Sequence, residues 1–190
     1  MEQKPPTRLE VLMAGLGGGG ILLIGRLLAQ ATLPRYKYVS WVPSFAIAKR
    51  GGACECTVIS SDKEIASPLL PKAQAVLILD SSQLKAFEGR VRPGGIIVIE
   101  SAGLQDEVER KDIEVLKVPA LEKAVEMGET LASNLIMLGA YVGATKTIPA
   151  ELIEKELEQR FGDKESVLSL NLKAFREGLK MGTQGVVGAR

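Results

Sequence analysis

Gly15-Leu16-Gly17-Gly18-Gly19-Gly20 is the segment of this chain whose residue types and spacing point most directly to chemistry. It lies between an apolar run, Leu9 to Ala14, and a stretch of helical apolar spacing, Ile21 to Leu33. Glycines at a strand-to-helix junction let main-chain N–H groups approach a ligand closely, with the positive end of the helix dipole behind them. Such a junction suits a phosphate or another anion; the alternative is tight packing, which glycine also serves. A second candidate is Arg50-Gly51-Gly52, preceded by Ser44 and Lys49, where a hydroxyl and two cations would complement main-chain donors around a phosphate. Gly15, Gly17, Gly18, Gly20, Ser44, Arg50, Gly51 and Gly52 are therefore the candidate cofactor-binding residues. A dinucleotide-binding unit also places an Asp or Glu roughly 20 residues beyond its loop to hold a ribose hydroxyl. No carboxylate side chain stands between Val11 and Cys54, where Arg26, Arg35, Lys37, Lys49 and Arg50 fall instead. The NAD reading lacks its second half.

Composition narrows the chemistry further. The chain has no histidine, which removes Ser-His and Cys-His nucleophile pairs, His metal sites and the commonest general base near neutral pH. No catalytic residue and no metal ligand is assigned, and proton chemistry is expected on other chains. Cys54 and Cys56, at i and i+2, are too few for a four-thiolate cluster and read as small core residues. With 24 basic and 23 acidic residues the net charge is +1, so no nucleic acid is indicated as a partner. Aromatic residues make up 4%, too few for a stacking platform. The N-terminus has no secretory pattern, and Arg26 interrupts the first apolar helix, so no membrane span and a reducing cytoplasm are expected.

The elements that must position these residues follow from apolar periodicity. Strands are expected over Leu9 to Ala14, Tyr38 to Val42, Ala53 to Ser60, Ala75 to Asp80, Ile96 to Ile99 and Ile113 to Val118. Pro93-Gly94-Gly95 reads as a turn before the fifth of these. The gap between the second and third is too short for a crossover helix, which predicts an antiparallel pair. Helices are expected over Ile21 to Leu33, Ser81 to Phe87 and Leu131 to Ala144, then behind Thr147 and Pro149, and along Leu168, Leu172, Phe175 and Leu179. Gly139, Ala140, Gly143 and Ala144 let their helix pack closely against the sheet or a partner chain. The fold class is α/β: a three-layer α/β/α sandwich on a mostly parallel, Rossmann-like sheet, with a helical C-terminal third. Residues 1–190 read as one domain with loose tails at 1–7 and 182–190. Asp80, Glu100 and Ser101 fall at strand ends, Trp41 and Phe45 read as packing residues, and Asn134 reads as a packed amide or a partner contact.

Taken in order, these segments resemble the gamma subunit of the 2-oxoacid:ferredoxin oxidoreductases of the pyruvate, 2-oxoglutarate and ketoisovalerate type. The matching elements run from Ala14-Gly15-Leu16-Gly17-Gly18-Gly19-Gly20 through Trp41-Val42-Pro43-Ser44 and Arg50-Gly51-Gly52. Val58-Ile59-Ser60-Ser61-Asp62, Ile65-Ala66-Ser67-Pro68 and Pro93-Gly94-Gly95 follow, then Asn134 with Leu138-Gly139-Ala140, and Asn171-Leu172-Lys173-Ala174-Phe175. The resemblance covers nearly the whole chain. It implies a subunit, inactive alone, of a complex that converts a 2-oxoacid to acyl-coenzyme A, carbon dioxide and reduced ferredoxin. It further implies coenzyme A at the glycine loop and basic segment, with thiamine diphosphate and iron–sulfur clusters on partner chains. Those partners are the alpha, beta and ferredoxin-like delta subunits, with ferredoxin reached through the complex. The chain departs from the family pattern at Gly19, where Gln is common, and at Phe45, Ala46 and Ala48, where Tyr, Gly and Glu are common. A main-chain site survives these changes. The residues also leave room for a free-standing NAD(P)-binding oxidoreductase domain and for a purely structural assembly subunit.

Overall fold

A computed structural model of the chain describes residues 6–45 and 52–185. One six-stranded sheet organises it, in the order β2-β3-β1-β4-β5-β6. The strands are β1 (Arg8–Leu16), β2 (Tyr38–Phe45), β3 (Ala53–Ser61), β4 (Ala73–Ile78), β5 (Val91–Glu100) and β6 (Glu114–Val118). The central strands are near-continuous runs of Val, Ile, Leu and Met because both of their faces are covered. β1, β4, β5 and β6 run parallel, whereas β3 is antiparallel to both β1 and β2. The short β2–β3 connection does enforce the antiparallel pair read from the sequence. The second antiparallel ladder, Val11 opposite Val58 and Met13 opposite Cys56, is a long-range pairing that the sequence does not announce.

The helices are α1 (Ile21–Thr32), α2 (Leu84–Phe87), α3 (Ala120–Glu126), α4 (Ser133–Thr145), α5 (Ala150–Phe161) and α6 (Glu165–Gln184). They cover the two faces of the sheet unequally. On one face α1, α3, α4, α5 and α6 join Val11, Met13, Cys56, Val58, Leu77 and Val98 in one apolar cluster. On the other, Leu84 and Phe87 of α2, with Leu70 and Ile113 from loops, close over Leu12, Ala14, Val76, Ile97 and Ile99. The side chains of β1, β4 and β5 thus alternate between two cores with a period of two.

Helix α4 is buried on nearly every side because it is wedged between the sheet and α6. Glycines make the second contact possible. A Cβ on Gly139 would collide with the carbonyl oxygen of Phe175, and one on Gly143 with that of Leu179. In return, Gly178 faces the carbonyl of Ile136 and Gly182 that of Ala140. The small residues of α4 therefore serve an intrachain helix pair, and backbone meets backbone there.

Several boundaries differ from the sequence reading, each for a physical reason. β5 begins at Val91 and runs through Pro93-Gly94-Gly95, where a register shift against β4 replaces the expected turn. Gly95 passes within 2.8 Å, measured from a would-be Cβ, of Val91 Cγ1, so the strand is crowded there. β2 continues through Pro43 to Phe45; it is the edge strand, where proline removes no bond the sheet needs. α3 is a helix the periodicity did not reveal, being seven residues long. Residues 182–184, expected in a loose tail, belong instead to α6, which runs to Gln184 with Gly182 buried against α4; residues 186–190 lie outside the described residues.

Candidate functional site

β1 delivers the chain to Leu16, and the turn that follows is fixed by its own amides. Gly17 N–H donates to the carbonyl of Gly52 at 2.9 Å, and Gly19 N–H to the carbonyl of Leu16 at 3.2 Å. Gly18 and Gly20 have φ of +99° and +76°, values that favour glycine. Gly15 lies under Ile21 Cδ1 and Leu79 Cβ, at 3.0 and 3.3 Å from a would-be Cβ, and Gly20 lies against the Asn134 amide. The glycines thus divide their work. Gly15 and Gly20 allow close packing, while the N–H groups of Gly17 and Gly19 are spent on the turn. The N–H groups of Gly18, Gly20, Ile21 and Leu22 have no acceptor among the described residues. α1 begins there with no side-chain cap and no acidic residue in its first turn. Four such donors and the positive end of the helix dipole are the chemistry an anion would need.

A crevice of about 280 Å³ opens beside the turn, at the carboxyl ends of β1, β4 and β5. Gly19 forms one wall, Asp80, Ser81 and Glu100 the polar floor, and Leu79, Leu121 and Leu131 the apolar sides. Ligands of parallel α/β sheets bind at this edge. Glu100 is buried, and its carboxylate accepts from Ala102 N–H and Leu121 N–H, both at 2.8 Å. Burial pushes its carboxyl above the ordinary carboxylate range, and the backbone donors oppose that shift. Asp80 caps the turn after β4 by accepting from Ser82 N–H at 3.1 Å and from its hydroxyl, both on Oδ1. Its Oδ2 has no partner among the described residues. Ser133, at the uncapped start of α4, also lines the crevice. Asn134 beside it is 4% exposed, and its Oδ1 is buried without a hydrogen bond among the described residues. An amide oxygen left in that state costs about 1–3 kcal/mol, which a ligand or water donor would recover.

The sequence candidates fall into place unevenly. Gly15, Gly17, Gly18 and Gly20 share the turn, and Gly52 reaches it through its carbonyl. Ser44 lies on the same edge of the sheet, in a row with Glu55 and Ala14. Two strand spacings, about 10 Å, separate it from β1. Lys49, Arg50, Gly51, Ala46 and Ala48 lie outside the described residues. Cys54 and Cys56 are buried and unpaired; burial pushes the Cys56 thiol up to about 12, against the opposing hydrogen bond from Trp41. It is a packing residue under Gly25 of α1. No group of His, Cys, Asp and Glu among the described residues could hold a metal ion, and no described helix is long and apolar enough to cross a membrane. Sequence reasoning missed the amides of Ile21 and Leu22 and the walls given by Leu121, Leu131 and Ser133. For Ile21 and Leu22 the available signal was the start of an apolar helix with no capping residue; Leu121 and Leu131 gave none, since they lie in short turns of helix without a readable period.

Comparison with known proteins gives a consistent picture. Residues 10–181 match the family model described as pyruvate ferredoxin/flavodoxin oxidoreductase. The chain is 30% identical over 181 residues to the ketoisovalerate oxidoreductase subunit VorA of Methanothermobacter marburgensis, covering 95% of this chain and 38% of that one. It is 32% identical over 178 residues to the 2-oxoglutarate synthase subunit KorC of Archaeoglobus fulgidus, covering 93% and 89%. It thus spans little more than a third of one relative and nearly all of another. Among solved structures, the gamma subunit of a keto/oxoacid ferredoxin oxidoreductase from Geobacter sulfurreducens superimposes with a TM-score of 0.80 at 25% identity, covering 95% of this chain and 99% of that one. The 2-oxoglutarate:ferredoxin oxidoreductase of Magnetococcus marinus, solved with 2-oxoglutarate, coenzyme A and succinyl-CoA bound, shares the fold. Its TM-score is 0.84 at 23% identity, over 93% of this chain and 31% of that one.

Proposed function

The chain belongs to the pyruvate ferredoxin/flavodoxin oxidoreductase family, and from that premise we propose that it is the gamma-type subunit of a 2-oxoacid:ferredoxin oxidoreductase, contributing the phosphate-binding part of a coenzyme A site. The observation that carries this reading is the set of N–H groups at Gly18, Gly20, Ile21 and Leu22 that meet no acceptor among the described residues, set at the start of a helix without a side-chain cap. A diphosphate is the group such donors recognise best. Coenzyme A supplies a thiol that accepts the acyl group. This chain's part is to bind and orient the carrier, since its described residues present no histidine, reactive thiol or metal-binding cluster to the crevice. The crevice is also of partial size: about 280 Å³ holds a segment of the carrier, and the remainder lies on the surface or against other chains.

The alpha, beta and ferredoxin-like delta subunits are the proposed partners, carrying thiamine diphosphate and the iron–sulfur clusters and passing electrons to ferredoxin. Ser44, Arg50, Gly51 and Gly52 complete the proposed site from the sequence pattern. Copurification from the native source, followed by identification of the associated chains, tests the assembly. Thiamine- and cluster-binding partners with 2-oxoacid-dependent ferredoxin reduction are expected. A chain that purifies alone and binds NAD(P)H saturably would replace this reading with that of a free-standing dinucleotide-binding domain.

A further inference from the structure

The stretch from Val11 to Cys54, which carries cations and no carboxylate, is only partly used by the glycine turn and the basic segment after it. Its other cations gather around a groove of about 210 Å³ between α1 and the edge strand β2. Arg26, Ala29 and Gln30 of α1, with Leu33 at its end, form one wall, and Val39 and Trp41 of β2 form the other. Arg26, Gln30 and Leu33 recur at the spacing of one helix face. Arg35 and Lys37 stand in the connection between Leu33 and Val39. Leu33 is 60% exposed and Trp41 37%. The Trp41 indole N–H donates to the buried Cys56 thiol, which fixes the orientation of the exposed ring. The cations here are free where others are not. Arg8, Arg90, Arg92, Arg110 and Arg176 each hold a carboxylate. Arg26, Arg35 and Lys37 have no ion pair among the described residues, and Arg35 Nε is buried without an acceptor there. An oriented tryptophan and an open leucine beside unpaired arginine are the composition of a protein interface.

We propose that the groove between α1 and β2 docks an acidic segment of a different chain of the complex, anchored by an apolar side chain between Leu33 and Trp41. Carboxylates of that segment meet Arg26 and the connection that holds Arg35 and Lys37. The proposal rests on the assembly reading above and adds the face at which assembly takes place. β2 is the sheet's edge and Pro43 blunts strand addition along it, so side-chain docking in the groove is the mode. A second copy of this chain is a poor occupant. Its own exposed apolar ridge is Leu121, Val125 and Leu131, and the carboxylates beside it, on Glu126 and Glu129, already engage Lys123 and Leu131 N–H. Contact of groove with ridge would also be head-to-tail, and such contacts grow into rings or filaments. The groove borders the C-terminal half of α1 and the open N–H groups its start, so docking and anion binding use opposite ends of one helix.

The test is made on the copurified complex. Arg26→Lys keeps the charge and supplies an amine that a water-soluble carbodiimide joins to a carboxylate in contact with it; mass spectrometry identifies the linked peptide. A link to an Asp or Glu of a different chain is expected. A link to a second copy of this chain, or none that leaves the chain, overturns the proposal. Arg26→Glu and Leu33→Glu, both at exposed positions, are then compared in dissociation on dilution, followed by mass photometry. Leu69→Glu, at a residue 73% exposed, is the control, and matching thermal melts establish that all three are folded. The first two are expected to raise the concentration of half-dissociation by about tenfold or more, and the control to leave it within about twofold. Half-dissociation unchanged in both groove variants overturns the proposal while sparing the assembly reading. A loss as large in Leu69→Glu overturns it too, since the effect would not belong to the groove. A chain that purifies without partners defeats the assembly reading itself, and the proposal with it.

Discussion

Gly18 and Gly20 stand at φ of +99° and +76°, yet an added Cβ meets open space at the first and the Asn134 amide at the second. Replacing Gly18 by Ala therefore costs only backbone strain, about 1–2 kcal/mol. At Gly20 the same strain is joined by overpacking against a buried side chain, for a total of about 2–5 kcal/mol. Urea unfolding of the two variants should show that ordering. Equal costs would mean that Asn134 does not press on the turn. The amide also explains why residue types alone left its role open: an Asn in an apolar helix is compatible with packing or with a partner contact. What decides is its neighbour across the fold, Gly20, more than a hundred positions away in sequence. The same holds for Gly17 and Gly19, whose amides look available in sequence and are engaged in structure by Gly52 and Leu16.

Among the elements, the α4–α6 pair sets magnitudes against each other most clearly. Ala is favoured over Gly inside a helix by about 1 kcal/mol, so Gly139→Ala or Gly178→Ala would stabilise an isolated helix. In this fold the new methyl group meets the carbonyl of Phe175 or of Ile136, and the helices must separate. Overpacking of about 1–3 kcal/mol per site, with the loss of close contacts around Phe175, outweighs the propensity gain. Both variants are expected to lower the unfolding midpoint by a few degrees, roughly 2–6 °C. Gly89→Ala, where a Cβ meets nothing within 4 Å, should leave it nearly unchanged. Stability unaltered in Gly139→Ala would show that α6 can move away at no cost. The existence of β1, α1, β3, β4 and α4 was legible because each carries a strong apolar period. The β1–β3 ladder and the bulge in β5 were not, because register is decided by which strands meet. α3 escaped because seven residues give too little periodicity to read.

For the whole molecule, the unequal layering places function. Five helices crowd one face of the sheet and leave the other to a four-residue helix and loops, while the carboxyl ends of the parallel strands carry the turn, the crevice and the exposed leucines. The order of motifs was sufficient to recognise the family, since Gly15 to Gly20 keeps the backbone pattern even where Gly19 departs from it. Which donors stay open among the described residues was beyond reach, because an N–H group is free only when no carbonyl from elsewhere arrives, and Gly52, just before β3, arrives from far along the chain. Hydrogen–deuterium exchange of the copurified complex with and without coenzyme A tests the central claim most directly. Bound carrier should slow exchange in the segment from Gly18 to Leu22 by about tenfold or more, with β6 and α5 unchanged. Exchange in that segment that is indifferent to coenzyme A, while other chains of the complex become protected, would contradict it.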